Sequence, residues 1–224
     1  MELSRRRLLM EGPMLLGFGM SALAQQHDHS MHAADATAGA DEHAAHRAMM
    51  TSPAIARSEH DYAIPKVQLR TETGGMVELA RVLATDQSVV LNFIYTSCTT
   101  ICPVMTASLV HMQHLLAGKG PMPSFVSISV DPDFDSPQIL KAYAAKSGAR
   151  WTFLTGTRPV VMEVLRQFDV WRGSKANHAA VTLLRKAGAA HWTRIEGLAS
   201  AEQLAEIWTG LHALVPVWDE MIEA

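Results

Sequence analysis

The run Ser88-Val-Val-Leu-Asn-Phe-Ile-Tyr-Thr-Ser-Cys98-Thr-Thr-Ile-Cys102-Pro103 decides the fold class of this 224-residue chain. From Ser88 to Tyr95 it is apolar and rich in β-branched and aromatic residues, the pattern of a strand covered on both faces of a sheet. Pro103 then marks the opening of a helix, expected over Val104 to Leu116. Proline is tolerated at a helix start because its missing N–H has no intrahelical partner to lose. Gly118 and Gly120 end the segment.

Working outward, Phe125 to Val130 reads as a second strand, Asp131 to Pro137 as a loop, and Gln138 to Lys146 as a helix stopped at Gly148. Asp135-Ser-Pro137 has the look of a turn and cap, with Asp135 as the capping residue. Trp151 to Leu154 is a short strand candidate, followed by a helix over Pro159 to Phe168. Val181 to Leu184 and His191 to Ile195 flank a hairpin turn at Lys186-Ala-Gly188. Ser200 opens a last helix, with Gln203 placed to complete a capping box. Upstream, Val77 to Leu83 suits a short helix or turn. Strands alternating with helices imply a sheet with helices on both faces. The order is that of an α/β, thioredoxin-like fold with a central mixed sheet, expected over residues 59–224. Trp151, Trp171 and Trp192 are read as core or surface anchors.

The chain begins differently. Arg5, Arg6 and Arg7 precede an apolar stretch from Pro13 to Leu23, and Ala22-Leu23-Ala24 offers a cleavage site, so residues 1–24 read as an export signal peptide. The apolar stretch is shorter than the roughly 20 residues needed to span a bilayer. No stable membrane anchor is expected once the signal is removed. Ser4-Arg5-Arg6-Arg7-Leu8-Leu9 also suits a twin-arginine route. A periplasmic or otherwise exported destination follows. Residues 25–58 lack any sustained apolar period and read as a disordered tail. The tail holds His27, His29, His32, His43 and His46 with Met31, Met49 and Met50, a composition associated with metal binding. The formal net charge of −3 comes without a clustered basic segment, which argues against nucleic acid as a partner.

Two cysteines in an exported chain usually become a structural disulfide. Cys98 and Cys102 are too close in sequence for that to restrain much of the unfolded chain, because the entropic gain grows with loop length. Metal ligation or redox chemistry explains the pair better. The start of a helix carries positive partial charge, which stabilises thiolate. Two thiolates suit a soft ion, and Cu(I) is the softest common candidate. A third ligand is then wanted. His178, just ahead of the strand at Val181, is the candidate, because in a thioredoxin-like fold that loop faces the cysteine helix. A lone histidine ahead of a strand is otherwise most often a plain loop residue. Met105 lies one turn beyond Cys102 and suits core packing, while His111 and His114 share a solvated helix face.

From about Val89 to Gly197 the sequence resembles the Sco/SenC family, copper chaperones with a thioredoxin-like fold. Tyr95-Thr-Ser-Cys98-Thr-Thr-Ile-Cys102-Pro103 is similar to that family's Cys-x-x-x-Cys-Pro motif. Ser129-Val-Asp131-Pro-Asp133-Phe-Asp135-Ser-Pro137 resembles its Asp-Pro-x-x-Asp-Thr-Pro loop, and Phe153-Leu-Thr-Gly156-Thr157 its Leu-Thr-Gly-Thr element. His178 falls where the family has its metal-binding histidine, written Asp-His-Ser, although here the flanks are Asn177 and Ala179. The resemblance implies copper, Cu(I) or Cu(II), held by Cys98, Cys102 and His178. It also implies delivery to a copper-accepting protein, usually an oxidase subunit at the copper centre of a haem-copper oxidase. Because thiols must be reduced before copper binds, a thiol reductant protein is a second expected partner. Two other functions stay open: a thiol–disulfide oxidoreductase working through redox-capable Cys98 and Cys102, and copper sequestration by the His-rich tail.

Overall fold

The computed structural model describes residues 54–212. The signal segment at 1–24 and nearly all of the tail lie outside those residues. Eight strands form one sheet: β1 Ala56–His60, β2 Gln68–Thr71, β3 Met76–Glu78, β4 Val89–Ile94, β5 Ser124–Ser129, β6 Thr152–Thr155, β7 Val181–Arg185 and β8 Trp192–Glu196. Their order across the sheet is β1-β8-β7-β4-β5-β6-β2-β3. β4, β5 and β6 are parallel, and the remaining pairings are antiparallel. The sheet is mixed, with helices on both faces, and the fold is thioredoxin-like as expected.

The helices are α1 Leu79–Leu83, α2 Ile101–Leu116, α3 Pro137–Ser147, α4 Arg158–Gln167 and α5 Ala201–His212. β4 shows why the chain needs both layers. Every one of its residues is buried. Val89, Leu91 and Phe93 join Leu79, Leu83 and Val161 from α1 and α4. Val90 instead meets Leu109 of α2 and Leu204 of α5, and Ile94 meets the cysteines and Leu140 of α3. Successive side chains of a strand point to opposite faces, so an unbroken apolar strand demands cover on each. The one polar member, Asn92, accepts a hydrogen bond from Ser127 Oγ (2.6 Å), which itself accepts from Trp151 Nε1 (2.8 Å). Trp192 is fully buried, and Trp151 and Trp171 are half-buried against the core.

Local signals held at several ends. The Ser200–Gln203 capping box is reciprocal, Ser200 N donating to Gln203 Oε1 (2.9 Å) and Gln203 N to Ser200 Oγ (3.2 Å). Gly148 closes α3 in the left-handed region at φ 73°. Elsewhere the structure corrects the sequence reading. Residues 56–58, expected in the tail, belong to β1, which pairs with β8 from Ala56↔Glu196 to His60↔Trp192. α2 begins at Ile101, ahead of Pro103, because the first turn of a helix leaves its N–H groups without intrahelical acceptors anyway. Met76–Glu78 is a strand, and the short helix begins only at Leu79.

Candidate metal centre

Register brings the site together. β7 runs antiparallel to β4 with Asn92 opposite Thr182, so the loop entering β7 lies at the end where β4 gives way to the cysteine loop. β5 is parallel to β4, with Ser129 beside Ile94, so the Asp131–Asp135 loop leaves from that same end. Open α/β sheets place ligand sites at the carboxyl ends of their parallel strands for this reason.

Cys98 and Cys102 are both free thiols and both buried. Cys98 sits in the loop just before α2. The backbone N–H of Cys102 points at its sulfur (3.5 Å), and Thr100 Oγ1 lies 3.7 Å away. Burial alone would raise the Cys98 thiol, but the hydrogen bonds from Cys102 and Thr100 outweigh it and bring the pKa down to about 7. Cys102, inside the first helical turn, goes the other way. Burial, reinforced by Cys98 and Asp135, pushes it up to about 12 against a backbone hydrogen bond from Tyr95. The sequence reading gave the helix-start effect to both thiols; it reaches Cys98, and at Cys102 burial wins.

The frame around the thiols is polar and tied. The Cys102 carbonyl accepts from Thr106 Oγ1 (2.9 Å) and from the Tyr143 hydroxyl of α3 (3.3 Å). Asp135 is fully buried and caps no helix: the cap of α3 is Ser136, whose Oγ accepts from Ile139 N at 3.3 Å. Asp135 instead accepts from the backbone N–H and hydroxyl of Thr96 and from Ser129 Oγ, pinning the cysteine loop to the end of β5. Burial raises its pKa in spite of those donors. A groove of about 500 Å³ lined by Thr96, Cys98, Pro103, Tyr143 and Lys146 opens beside the Cys98 thiol.

His178 ends a single 3-10 turn, Lys175–Asn177, and is half-buried. Its Nε2 lies 2.9 Å from the carbonyl oxygen of Phe93. A carbonyl only accepts, so Nε2 carries the hydrogen. Burial lowers the histidine pKa, opposed by that bond, which favours the neutral ring with its lone pair on Nδ1. Tyr95 links the two halves of the site. Its ring meets His178 edge-on with centroids 6.1 Å apart, and its backbone carbonyl accepts from Cys98 N (3.2 Å). Among the described residues no group of three His, Cys, Asp or Glu side chains is close enough to hold a metal ion. The structure gathers the two thiols, and His178 connects to them through Tyr95, whose ring it meets and whose carbonyl holds Cys98 N. Met105 packs in the interior, while His111 and His114 are exposed on α2. Sequence reasoning missed Tyr95, Tyr143 and Lys175, whose only local signal is proximity to the motifs.

The thioredoxin-like sheet carries a thiol pair at the start of its first long helix, with the histidine loop entering β7 at the same end. Residues 58–211 match the model of the SCO1/SenC family, and the chain belongs to that family. A Bacillus subtilis (strain 168) protein described as an SCO1 protein homolog is 44% identical over 68 residues, covering 29% of this chain and 35% of its own length. The chain thus aligns with about a third of that relative. Arabidopsis thaliana ScoI, solved with copper bound, superposes with a TM-score of 0.59 at 21% identity, covering 66% of this chain and 97% of the other. BsSco, described as a member of the Sco family of cytochrome c oxidase assembly proteins with a disulfide switch, gives 0.58 at 24%, covering 70% and 97%.

Proposed function

We propose that this chain is an exported copper carrier that holds copper on Cys98 and Cys102, takes His178 as third ligand, and hands the ion to a partner, the copper centre of a respiratory haem-copper oxidase. The observation that carries this reading is the Cys98 sulfur, held at a helix start by the Cys102 N–H and lowered to about 7, with a second thiol one turn behind it. A thiolate is the form that binds metal, and a soft ion such as Cu(I) suits sulfur. The neutral His178 ring adds a lone pair at Nδ1 while Nε2–H is anchored on a backbone carbonyl, the usual second contact of a ligating histidine. Two thiolates and an imidazole accommodate Cu(I) and Cu(II) alike. Release by ligand exchange suits a site whose third donor stands on a surface loop. A structural neighbour solved with copper bound supports the cargo, and another, described as a member of the Sco family of cytochrome c oxidase assembly proteins, supports the acceptor. The arginine-led apolar start at residues 5–24 supports export.

The test is an anaerobic copper titration of the reduced protein without its His-rich tail, in a chain beginning at Ala54. One tight copper per folded domain is expected, strongly weakened in Cys98→Ser, Cys102→Ser and His178→Ala. Unchanged affinity and spectrum in His178→Ala would remove the third ligand from the reading.

A second reading is favoured by the inequality of the two thiols. A thiolate-prone Cys98 in front of a buried Cys102 suits attack on a partner disulfide by Cys98 and release by Cys102. The Cys98–Cys102 disulfide then forms as the partner gains two thiols, so electrons and protons balance. Rapid turnover of disulfide substrates by a reduced protein that ignores copper would favour this enzyme. Sequestration through the tail predicts several bound ions, and loss of most of that capacity on deletion of residues 25–53, which leaves β1 in place.

A further inference from the structure

The loop that carries His178 is tied to β4 by the His178 Nε2–Phe93 carbonyl bond and otherwise hangs from few anchors. Asn177 Nδ2 donates to the Arg172 carbonyl (3.2 Å) and Arg172 pairs with Asp169, bonds that stay within the loop and its stem. Lys175 is different. Its ammonium forms an ion pair with Asp131, whose side chain is only 8% exposed, and stands 5.8 Å over the Tyr95 ring. Asp131 is itself fixed. Its N–H donates to Ser129 Oγ (3.0 Å), and its carbonyl accepts from Asp135 N (2.9 Å). Lys175 also begins the 3-10 turn that His178 ends, and its carbonyl accepts from His178 N (3.1 Å). One ammonium therefore fastens the histidine turn to the rigid loop beyond β5 and to the tyrosine next to the thiols.

We propose that Lys175 is a positioning residue for His178: its pairing with Asp131 is a latch that sets where the imidazole stands relative to Cys98 and Cys102, and so sets copper affinity. This rests on His178 being the third ligand. Removing the ammonium leaves a carboxylate buried and uncompensated, which disfavours the loop position seen here. Lys175→Leu keeps an apolar side chain beside Tyr95, deletes the charge and adds no sulfur that could itself bind copper. Lys175→Arg keeps a donor for Asp131.

The experiment is a double-mutant cycle read by anaerobic Cu(I) titration, with amide hydrogen exchange measured on the copper-free proteins. Lys175→Leu is expected to weaken Cu(I) binding by roughly tenfold in the wild-type background and not at all beside His178→Ala, the pattern of two residues acting through one another. Exchange at His178 N–H is expected to accelerate about tenfold in Lys175→Leu, as local opening becomes easier. Lys175→Arg restores both. Equal weakening in the two backgrounds, or unchanged exchange at His178, overturns the latch. If His178→Ala weakens copper and Lys175→Leu does not, the latch fails alone. If His178→Ala has no effect, the three-ligand reading falls and takes the latch with it.

Discussion

At Cys98 two opposing effects act on one sulfur: burial favours the neutral thiol, and the N–H groups at the start of α2 favour the thiolate. The donors win at Cys98 and burial wins at Cys102, so the thiols titrate near 7 and 12. Thiolate fraction rises with pH, so alkylation of Cys98 in the reduced, copper-free protein should climb about tenfold per pH unit up to neutrality and level off above it. Peptide mass spectrometry should find Cys102 modified far more slowly. A midpoint near the ordinary value of 9.0 would contradict the hydrogen-bonded geometry. His178 sets a second pH dependence. Its folded pKa lies below the ordinary 6.5, so as pH falls the unfolded chain takes up a proton first and stability is lost on the acid side. Urea midpoints at pH 7.5 and 5.5 should differ more for the wild type than for His178→Ala.

The loop between β5 and α3 separates two roles that neighbouring residues play. Ser136 caps the helix, so Ser136→Ala should cost about 1 kcal/mol in urea denaturation. Asp135 ties the cysteine loop down, so Asp135→Ala orphans the Thr96 and Ser129 donors and should cost about 2–4 kcal/mol. Equal costs for the two variants would refute this division. The cap was readable as a turn signal, yet the sequence reading assigned it to the wrong member of Asp135-Ser136. The partners of Asp135 include Thr96, 39 residues away, and no local pattern announces such a bond. The Ser200–Gln203 box was readable in full because both halves of it are local.

Across the whole molecule, the sequence hid the strands β1, β2 and β3, and β1 shows why. Ala56-Arg-Ser-Glu-His60 has four exposed residues out of five, so it lacks the apolar alternation that marks a half-buried strand. It is a strand because β8 offers it an edge, and because His60 stacks on Tyr62 (centroids 5.3 Å), which packs on Phe168. A chain beginning at Ala63 should show a lower urea midpoint than one beginning at Ala54, and red-shifted emission as Trp192 loses its cover. Identical midpoints for the two truncations would show that β1 adds nothing. Among the described residues no helix is long and apolar enough to cross a membrane. The sequence by itself determined the doubly covered β4, the thiol pair at a helix start and the order of strands and helices from β4 onward, because each is written in neighbouring residues. Only the tertiary structure decided that Cys98 and Cys102 differ, that Asp135 anchors rather than caps, and that Lys175 holds the histidine turn. Those are outcomes of burial and of contacts between distant segments, which no short stretch of sequence contains.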